Sequence, residues 1–355
     1  MSVYKQMKND ELRNKVDDML IGLPSFCRVY VNGREGVVSP RTMYLYIERI
    51  SMFFSYLRYS NSYFNNVDFS KSSLSILENF NVHDFEDFAH WLRSGKASDG
   101  RMKSEKTVNN YLSAISSLYE YFVRIGDLKS NPVSLMERKK IRKSRHVVHL
   151  DAESEEGFLN AVKNGQGLTD VQYRYYGKMS VRDTAICMIL LRTGIRVSEL
   201  VGLNIDDVDM KKHSLQILRK RDKADIVYFD DMTSDVLSLY LDERSLYNPD
   251  KKEKALFLVS IGKYKGRRLS VRSVELLVKK YAVAGAPMVG NKITPHKLRA
   301  TFALDMLEAT GGDLHLVQQA LDHERPETTV IYLDSRQKQL EQSRNLIHDF
   351  KKGLG

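Results

Sequence analysis

Apolar residues recur at intervals of three and four along most of this 355-residue chain, which restricts its fold to one built mainly from helices. The spacing is clear from 40 to 57, directly after a Ser-Pro pair that is typical of a helix start. It returns near 84–92 and from 104 to 122, and Gly126 is well placed to end the last of these helices. The first 130 residues are therefore predicted to form a compact helical domain.

A basic segment follows this domain. Asn131-Pro132 interrupts the helical pattern, and six of the eight residues from 138 to 145 are then basic. Such a run is either a solvated linker or a strap across a polyanion, because each contacted phosphate releases counterions. The six residues are Arg138, Lys139, Lys140, Arg142, Lys143 and Arg145.

Net charge agrees with a polyanionic partner without requiring one. The chain has 55 Lys and Arg against 45 Asp and Glu, a net charge of +10. Such a surface favours nucleic acid or an anionic membrane face, and the alternative is a basic surface with no partner. Composition alone leaves both interpretations open.

Composition does exclude several classes of protein. The 42% of apolar residues are enough to bury a core, which excludes a wholly disordered chain. No run of 18 uncharged apolar residues occurs and the first residues are charged, so we expect no membrane span, no secretory leader and a cytoplasmic location. Cys27 and Cys187 lie far apart without a CxxC pattern, which excludes a disulfide scaffold and a cysteine zinc site.

From about 146 onward the pattern is again mainly helical. One apolar helix is predicted to end at Thr193-Gly194, and another follows almost at once. Two short β runs, 214–218 and 226–229, flank a charged segment and predict an antiparallel hairpin, with 256–259 as a candidate further strand. The predicted fold class is mainly α with a small antiparallel β-sheet. The later predicted helices are 271–281, 295–309, 313–321 and 328–333.

Arg196 stands in the first of three segments that concentrate phosphate-binding or proton-transferring side chains. It follows Gly194, so a helix end and a helix start fix its backbone, and Glu199 lies three residues on, within reach of the guanidinium. An arginine held in this way binds phosphate oxygens bidentately. The alternative is a structural Arg–Glu pair on a helix.

The other two segments carry histidines. Pro295 suits the first position of a helix, which places His296 and Arg299 three apart on one face near free backbone N–H groups. This pair forms an anion site or is merely structural. In the third segment His323 ends one helix and Tyr332 follows nine residues later. Alone, Tyr332 would be interpreted as an ordinary tyrosine of an amphipathic helix. The histidines and arginines of these segments make it a candidate catalytic residue.

These five residues occur together in the order and spacing of the tyrosine recombinase (phage integrase) family. The sequences TGIRVSEL, TPHKLR and ETTVIYLD resemble its signature boxes, and the resemblance extends over about 40–340. It implies an N-terminal helical core-binding (SAM-like) domain, a linker and a C-terminal catalytic domain. The layout is most similar to Xer-type single recombinases and simple integrases of Gram-positive mobile elements. The expected boundaries are 1–130, 131–148 and 149–340, with 341–355 as a tail that docks on a neighbouring protomer.

The resemblance also implies a reaction. Tyr332 attacks a DNA phosphate to form a 3′-phosphotyrosyl link, without ATP, cofactor or metal. Arg196 and Arg299 hold the non-bridging oxygens, His296 acts as the base and His323 donates to the same oxygens. The family's sixth residue, a lysine in the hairpin, falls on Lys220, with Lys223 as the competing position. The implied assembly is a homotetramer that exchanges strands between two double-stranded DNA sites with inverted repeats, through a Holliday junction.

The chain departs from the family pattern at three places. Asp322 stands where glycine usually precedes the histidine, and Ala300 replaces a common histidine after the second arginine. The stretch from Arg299 to His323 is one residue longer than usual, near 310–312. These departures bear on how His323 is presented, but they remove no expected catalytic side chain.

DNA-binding candidates in the first domain lie in three places: opposite the apolar stripe of the helix that begins after 104, just before that helix, and at the start of the helix predicted from 40. As major-groove or phosphate contacts they compete with the simpler interpretation of a solvated polar face. For the whole chain the rivals are a type IB topoisomerase and a DNA-binding regulator that has lost cleavage. A metal-dependent DDE transposase is disfavoured, because the carboxylates of this sequence show no focus comparable to the Arg/His/Tyr set. The candidates are Arg41, Arg101, Lys103, Lys106, Asn109 and Asn110.

Overall fold

The computed structural model describes residues 3–60, 64, 67–96, 100–139, 147–219 and 223–322. The chain folds as two compact units, Met1–Lys143 and Ser144–Gly355. No helix within the described ranges combines the length and apolar character needed to cross a membrane.

The first unit is helical. Helix α1 packs against α3, and α2, α3 and α4 all pack against α5, which lies at the centre of the unit. Short 3-10 turns connect α3 to α4 and follow α5. Among its described residues the α-helices are α1 (Val3–Leu20), α2 (Ser25–Gly33), α3 (Pro40–Ser60), α4 (Val82–Arg93) and α5 (Glu105–Ile125).

Helix α5 shows why the sequence predicts these elements. The Ser104 side chain accepts a hydrogen bond from the backbone N–H of Thr107, and Gly126 ends the helix with φ of 87°. Between these caps an apolar stripe that includes Leu112, Ile115 and Phe122 is buried. The opposite face of α5 carries polar side chains, some of which contact the segment at 138–139.

The second unit has eight helices and one sheet within its described residues. Its sheet is fully antiparallel in the order β1-β2-β3. The strands are β1 (Val208–Asp209), β2 (Ser214–Leu218) and β3 (Ala224–Tyr228). The helices are α6 (Ala152–Asn164), α7 (Asp170–Tyr176), α8 (Ser180–Thr193), α9 (Val197–Gly202), α10 (Asp231–Glu243), α11 (Val271–Gly285), α12 (Pro295–Ala309) and α13 (Leu314–Ala320).

Helix α8 is the centre of this unit. It is buried along nearly its whole length and packs against α6, α10 and α12. A helix that is buried on nearly all sides needs neighbours on each of its faces. Its C-terminal end, its neighbour α12 and the following α9 therefore have fixed relative positions, and the candidate site is built on them.

The hairpin prediction is confirmed, whereas the extra strand is placed elsewhere. Ser214 pairs with Tyr228 and Leu218 with Ala224, and the third strand is β1, which the sequence analysis did not identify. Residues 256–259 form only an isolated bridge, between Leu258 and Arg268. This segment bonds to different partners in turn, since the Leu256 N–H donates to Leu203 and the Val259 N–H to Arg267, so no continuous ladder forms.

The predicted fold class, mainly α with a small antiparallel sheet, is confirmed. The helices predicted near 40–57, 84–92 and 104–122 are α3, α4 and α5. Those predicted at 271–281, 295–309 and 313–321 are α11, α12 and α13. The helix predicted at 328–333 lies outside the described residues. The apolar spacing predicted no individual helix at the positions of α1, α2, α6, α7 and α10.

Candidate active site

Gly194 makes the sharp connection between α8 and α9 possible. Its φ is 60°, a left-handed conformation that glycine adopts without cost. A β-carbon at this position would also overlap the ring of Phe302 on α12. The chain therefore turns directly from one helix into the next and presents Arg196 at the start of α9.

Glu199 fixes the side chain of Arg196. One carboxylate oxygen accepts the Arg196 backbone N–H at 2.7 Å, and the other accepts Nη1 of its guanidinium at 2.8 Å. The Glu199 side chain is 4% exposed, while that of Arg196 is 36% exposed. Arg196 is thus anchored from inside the protein and retains an open edge toward solvent.

Arg299 is buried and connects three elements. It lies on α12, and its guanidinium donates to the carbonyl oxygens of Gly194 and Leu321. These bonds join α12 to the α8–α9 turn and to the end of α13. Arg196 reaches the same place, since its Nη2 lies 3.4 Å from the carbonyl oxygen of Asp322.

His296 stands on the first turn of α12, one turn before Arg299. It is exposed as a residue, yet partial burial of the imidazole is the main cause that lowers its pKa below 6.5. The positive charges of Lys297, Arg299 and Arg196 lower this pKa further. The ring is therefore neutral at pH 7 and has one nitrogen able to accept a proton.

Arg219 is a residue of this site that the sequence analysis missed. Its side chain is 1% exposed and forms a bond with each of three partners. Nε lies 2.9 Å from Asp225, Nη1 lies 3.3 Å from Glu199 and Nη2 lies 3.1 Å from the carbonyl oxygen of Ala320. Arg219 therefore connects the hairpin to α9 and to the end of α13.

A signal for Arg219 was present in the strand alternation. Leu215 and Ile217 are the buried apolar positions of β2, and Arg219 continues the same face two residues later. In the sequence it stands within the charged run 219–223, where several neighbours are also basic. The periodicity of the preceding strand, rather than the charge, distinguishes it.

The hairpin loop and the end of α13 also meet through a surface pair. The Arg219 backbone N–H donates to the Lys223 carbonyl at 2.8 Å, which closes the loop. Lys223 Nζ lies 3.5 Å from a carboxylate oxygen of Asp322. Asp322 has φ of 47°, the conformation for which glycine is favoured. The glycine-to-aspartate departure thus lies in a strained backbone position that an aspartate tolerates better than most residues.

Three candidate catalytic residues, Lys220, His323 and Tyr332, lie outside the described residues. Within those ranges the structure brings Arg196, His296 and Arg299 together, with Glu199 and Arg219 behind them. No group of three His, Cys, Asp or Glu side chains able to hold a metal ion is found in the described part of the chain.

The DNA-binding candidates of the first unit lie along α5, in the segment before it, and at the start of α3. Lys106 and Asn110 are exposed, as are Arg41 on α3 and Arg101 before α5. Lys103 is half-buried. Of the basic run, Lys140, Arg142, Lys143 and Arg145 lie outside the described residues.

The start of the basic run lies against the polar face of α5. Asn109 donates to the Lys139 carbonyl at 3.3 Å, and Lys139 Nζ lies 3.5 Å from Glu105. Arg138 Nη1 donates to the hydroxyl of Ser113 at 2.8 Å. Asn109, Arg138 and Lys139 therefore hold the linker to α5 as well as carrying polar groups at its surface.

Comparison with known proteins identifies the family. The model of the phage integrase family matches residues 150–339, more than half of the chain. Tyrosine recombinase XerS of Streptococcus pneumoniae (strain CGSP14) is 30% identical over 351 residues, which cover 92% of this chain and 96% of that protein.

Solved structures show the same fold. The post-cleavage complex of XerH site-specific recombinase with a palindromic difH substrate gives a TM-score of 0.63 at 22% identity, covering 90% of this chain and 83% of that one. The Tn1549 transposon integrase in complex with transposon right end DNA gives 0.60 at 20% identity, covering 89% and 98%. The chain belongs to the phage integrase family of tyrosine recombinases, enzymes of site-specific DNA recombination.

Proposed function

We propose that this recombinase cuts and rejoins DNA through a 3′-phosphotyrosyl intermediate in which Tyr332 is the nucleophile. The observation that carries the proposal is the grouping of Arg196, Arg299 and a neutral His296 at one place, on helix ends fixed by the core. Two guanidinium groups can stabilise the negative charge that grows on a phosphodiester under attack, and a neutral imidazole can accept the proton that the attacking hydroxyl loses.

The two arginines bind the phosphate group and stabilise its charge during the reaction. Arg196 is positioned by Glu199 and presents its exposed edge, while Arg299 adds positive charge from beneath. As Tyr332 oxygen bonds to phosphorus, charge grows on the non-bridging oxygens, and the two guanidiniums stabilise it. His323 donates a hydrogen bond to the same oxygens.

The proton moves from the phenol to His296. A tyrosine has an ordinary pKa of about 10 and is protonated at pH 7, so its attack requires a base. His296 meets the requirement because its lowered pKa keeps it unprotonated. The bond from phosphorus to the 5′ oxygen breaks as the new bond forms, and Lys220 protonates the leaving oxygen. One phosphoester replaces another, so no ATP is consumed.

We propose a role for each part of the chain. Residues 1–130 bind DNA as the core-binding domain, 131–148 cross the duplex as a basic linker and 149–340 perform the chemistry. Residues 341–355 dock on a neighbouring protomer of a tetramer assembled on paired inverted-repeat sites, through a Holliday junction. The likeness to tyrosine recombinase XerS over nearly both chains favours Xer-type resolution of chromosome dimers in the cytoplasm. Integration and excision of a mobile element is the alternative.

Covalent trapping tests the proposal. Adducts between the wild-type protein and genomic DNA are isolated under denaturing conditions, and their DNA is sequenced to find the site. On a nicked substrate made from that site, Tyr332→Phe abolishes the adduct, whereas Tyr228→Phe, a change at an exposed tyrosine of β3, leaves it unchanged. Adducts that persist in Tyr332→Phe, or a wild-type protein that forms none, contradict the proposal. Relaxation of supercoiled DNA of any sequence would instead identify a type IB topoisomerase.

A modified substrate identifies the acid. With sulfur in place of the 5′ bridging oxygen, the leaving group departs as a thiolate and needs no proton. Lys220→Ala then cleaves the sulfur substrate at nearly the wild-type rate and the normal substrate slowly, while Lys223→Ala cleaves both normally. The reverse pattern would assign the acid to Lys223.

A further inference from the structure

A pocket of about 280 Å³ lies in the first unit, away from the recombinase motifs. It is formed by the residue after α2, the polar face of α5 and the segment after the 3-10 turn Pro132–Leu135. Its walls carry three arginines and three serines, Arg34, Arg124, Arg138, Ser113, Ser116 and Ser117.

The pocket has an excess of positive charge. Within the described ranges, none of the three guanidiniums has a carboxylate at ion-pair distance. Glu120 is the single acidic residue of the lining, and its carboxylate accepts a hydrogen bond from Asn131 at 2.9 Å. Arg124 lies over the Tyr121 ring, 5.8 Å from its centre, and Arg138 donates to Ser113. Three like charges around one space repel each other unless an anion lies between them.

One of these donors is unsatisfied. Nε of Arg34 is buried and has no hydrogen-bond partner in the described part of the chain. A buried N–H without an acceptor costs free energy, and such groups usually indicate an absent water or ligand. The adjacent phenol of Tyr30 is hydrogen-bonded to Ser117 at 2.9 Å, and burial raises its pKa to about 12. Tyr30 therefore adds no negative charge that would balance the arginines.

We propose that this pocket is a binding site for a phosphate group. Guanidinium N–H groups and serine hydroxyls are the donors that bind tetrahedral oxyanions, and both line this pocket. The space, about 280 Å³, is large enough for a phosphate group attached to a sugar. Its source is either the DNA backbone, in which case the inference rests on the proposed function, or a free nucleotide.

The binding test uses the full-length protein and no cleavage. Inorganic phosphate and deoxythymidine 5′-monophosphate are titrated by calorimetry at constant ionic strength. Binding is expected to weaken at least tenfold in Arg34→Gln and in Arg124→Gln, and to be unchanged in Arg28→Gln. Arg28 is the matched control because it is an exposed arginine of α2 that pairs with Asp17. Arg124 is exposed, so its replacement does not threaten folding.

A second arm distinguishes the two sources. The affinity for a duplex without a recombination site is measured from low to high salt. If a backbone phosphate fills the pocket, each pocket variant lowers the slope of log affinity against log salt by about one. An unchanged slope together with weakened nucleotide binding assigns the pocket to a free nucleotide. The proposal is overturned if neither measurement distinguishes the pocket variants from Arg28→Gln. Because neither arm requires Tyr332, a failed adduct assay leaves this result unaffected.

Discussion

Arg219 and Glu199 form a buried ion pair, 3.3 Å between Nη1 and Oε2, and the second oxygen of the same carboxylate holds Arg196 at 2.8 Å. One carboxylate therefore positions an arginine that faces the proposed phosphate and an arginine that no solvent reaches. Because Arg219 also bonds to Asp225 and to the carbonyl of Ala320, it connects the hairpin, α9 and the end of α13 to one another.

Replacing Arg219 tests this connection. Arg219→Met leaves Asp225 without its partner and Glu199 with half of its charge compensation, so we expect a loss of about 3 kcal/mol in the free energy of unfolding. Misplacement of the hairpin and α13 should slow adduct formation by roughly tenfold to a hundredfold while DNA affinity changes little. Urea unfolding, single-turnover cleavage and DNA binding provide the three measurements.

The control for Arg219 is Arg272→Met. Arg272 is exposed on α11 and pairs with Glu275, so its loss should change the free energy of unfolding by about 0.5 kcal/mol or less. Arg219→Lys separates the effect of the three bonds from the effect of the charge, because lysine keeps the positive charge but can supply only one of the three bonds. Wild-type cleavage by Arg219→Met in single turnover would show that the connection has no part in the reaction.

The strained backbone of Asp322 gives a second prediction. With φ of 47°, this position favours glycine over alanine by about 1 kcal/mol, so Asp322→Gly should be more stable than Asp322→Ala by that amount. Both variants lose the contact with Lys223, which therefore cancels in the comparison. Urea unfolding of the two proteins measures the difference.

A position inside a helix should show the opposite preference between glycine and alanine. Asp235 is exposed within α10, where alanine should be more stable than glycine by about 1 kcal/mol. Equal stability of the two variants at 322 alongside a normal difference at 235 would show that the left-handed conformation there is not enforced.

The charge state of His296 predicts the pH dependence of cleavage. Partial burial and the nearby cations lower its pKa, so the ring is unprotonated at pH 7 and becomes protonated only at a pH below 6.5. Since a base must be unprotonated, the cleavage rate should be flat from pH 7 to 8 and fall as the pH drops through the lowered pKa.

Proton NMR of the imidazole measures this pKa directly, with His296→Gln to assign the signal. Arg196→Gln removes one of the cations and should raise the pKa of His296 toward its ordinary value. A midpoint above 6.5 in the wild-type protein would contradict the proposed role as a base that is free at neutral pH.

Asp305 on α12 makes the stability of the protein depend on pH. The residue is exposed by its surface area, yet partial burial of its carboxyl group, together with the negative charges of Glu155 and Glu308, raises its pKa to about 6 against the opposing effect of Arg192. The folded protein therefore holds a proton that the unfolded chain releases between pH 3.8 and about 6, and stability from this group declines as pH rises through that window.

Asp305→Asn removes that penalty. We expect the variant to be more stable than wild type by about 1 kcal/mol at pH 8, a value reduced for the exposure of the residue, and to lose the advantage near pH 4. Unfolding in urea at both pH values measures it, with Asp235→Asn as a control at an exposed carboxylate. A gain of equal size at both pH values would show that ionisation is not its cause.

Local patterns predicted much of this protein. The spacing of apolar residues and the caps at Ser104 and Gly126 predicted α5, and the pairing of Arg196 with Glu199 followed from three-residue spacing at a helix start. Patterns failed where the signal was weak, as in α1, whose apolar residues are sparse and which is held by packing on α3. The segment 256–259 has strand composition but finds no continuous partner.

Residue types at short, fixed spacings were enough to establish the family, the helical class and the candidate catalytic residues. The folded molecule was needed to show that Arg299 bonds to Gly194, that Arg219 bonds to Ala320 and that three arginines surround one pocket in the first unit. The first two contacts join residues about a hundred positions apart in the chain. Nothing local encodes such a meeting, since it depends on how whole helices pack around α5 and α8.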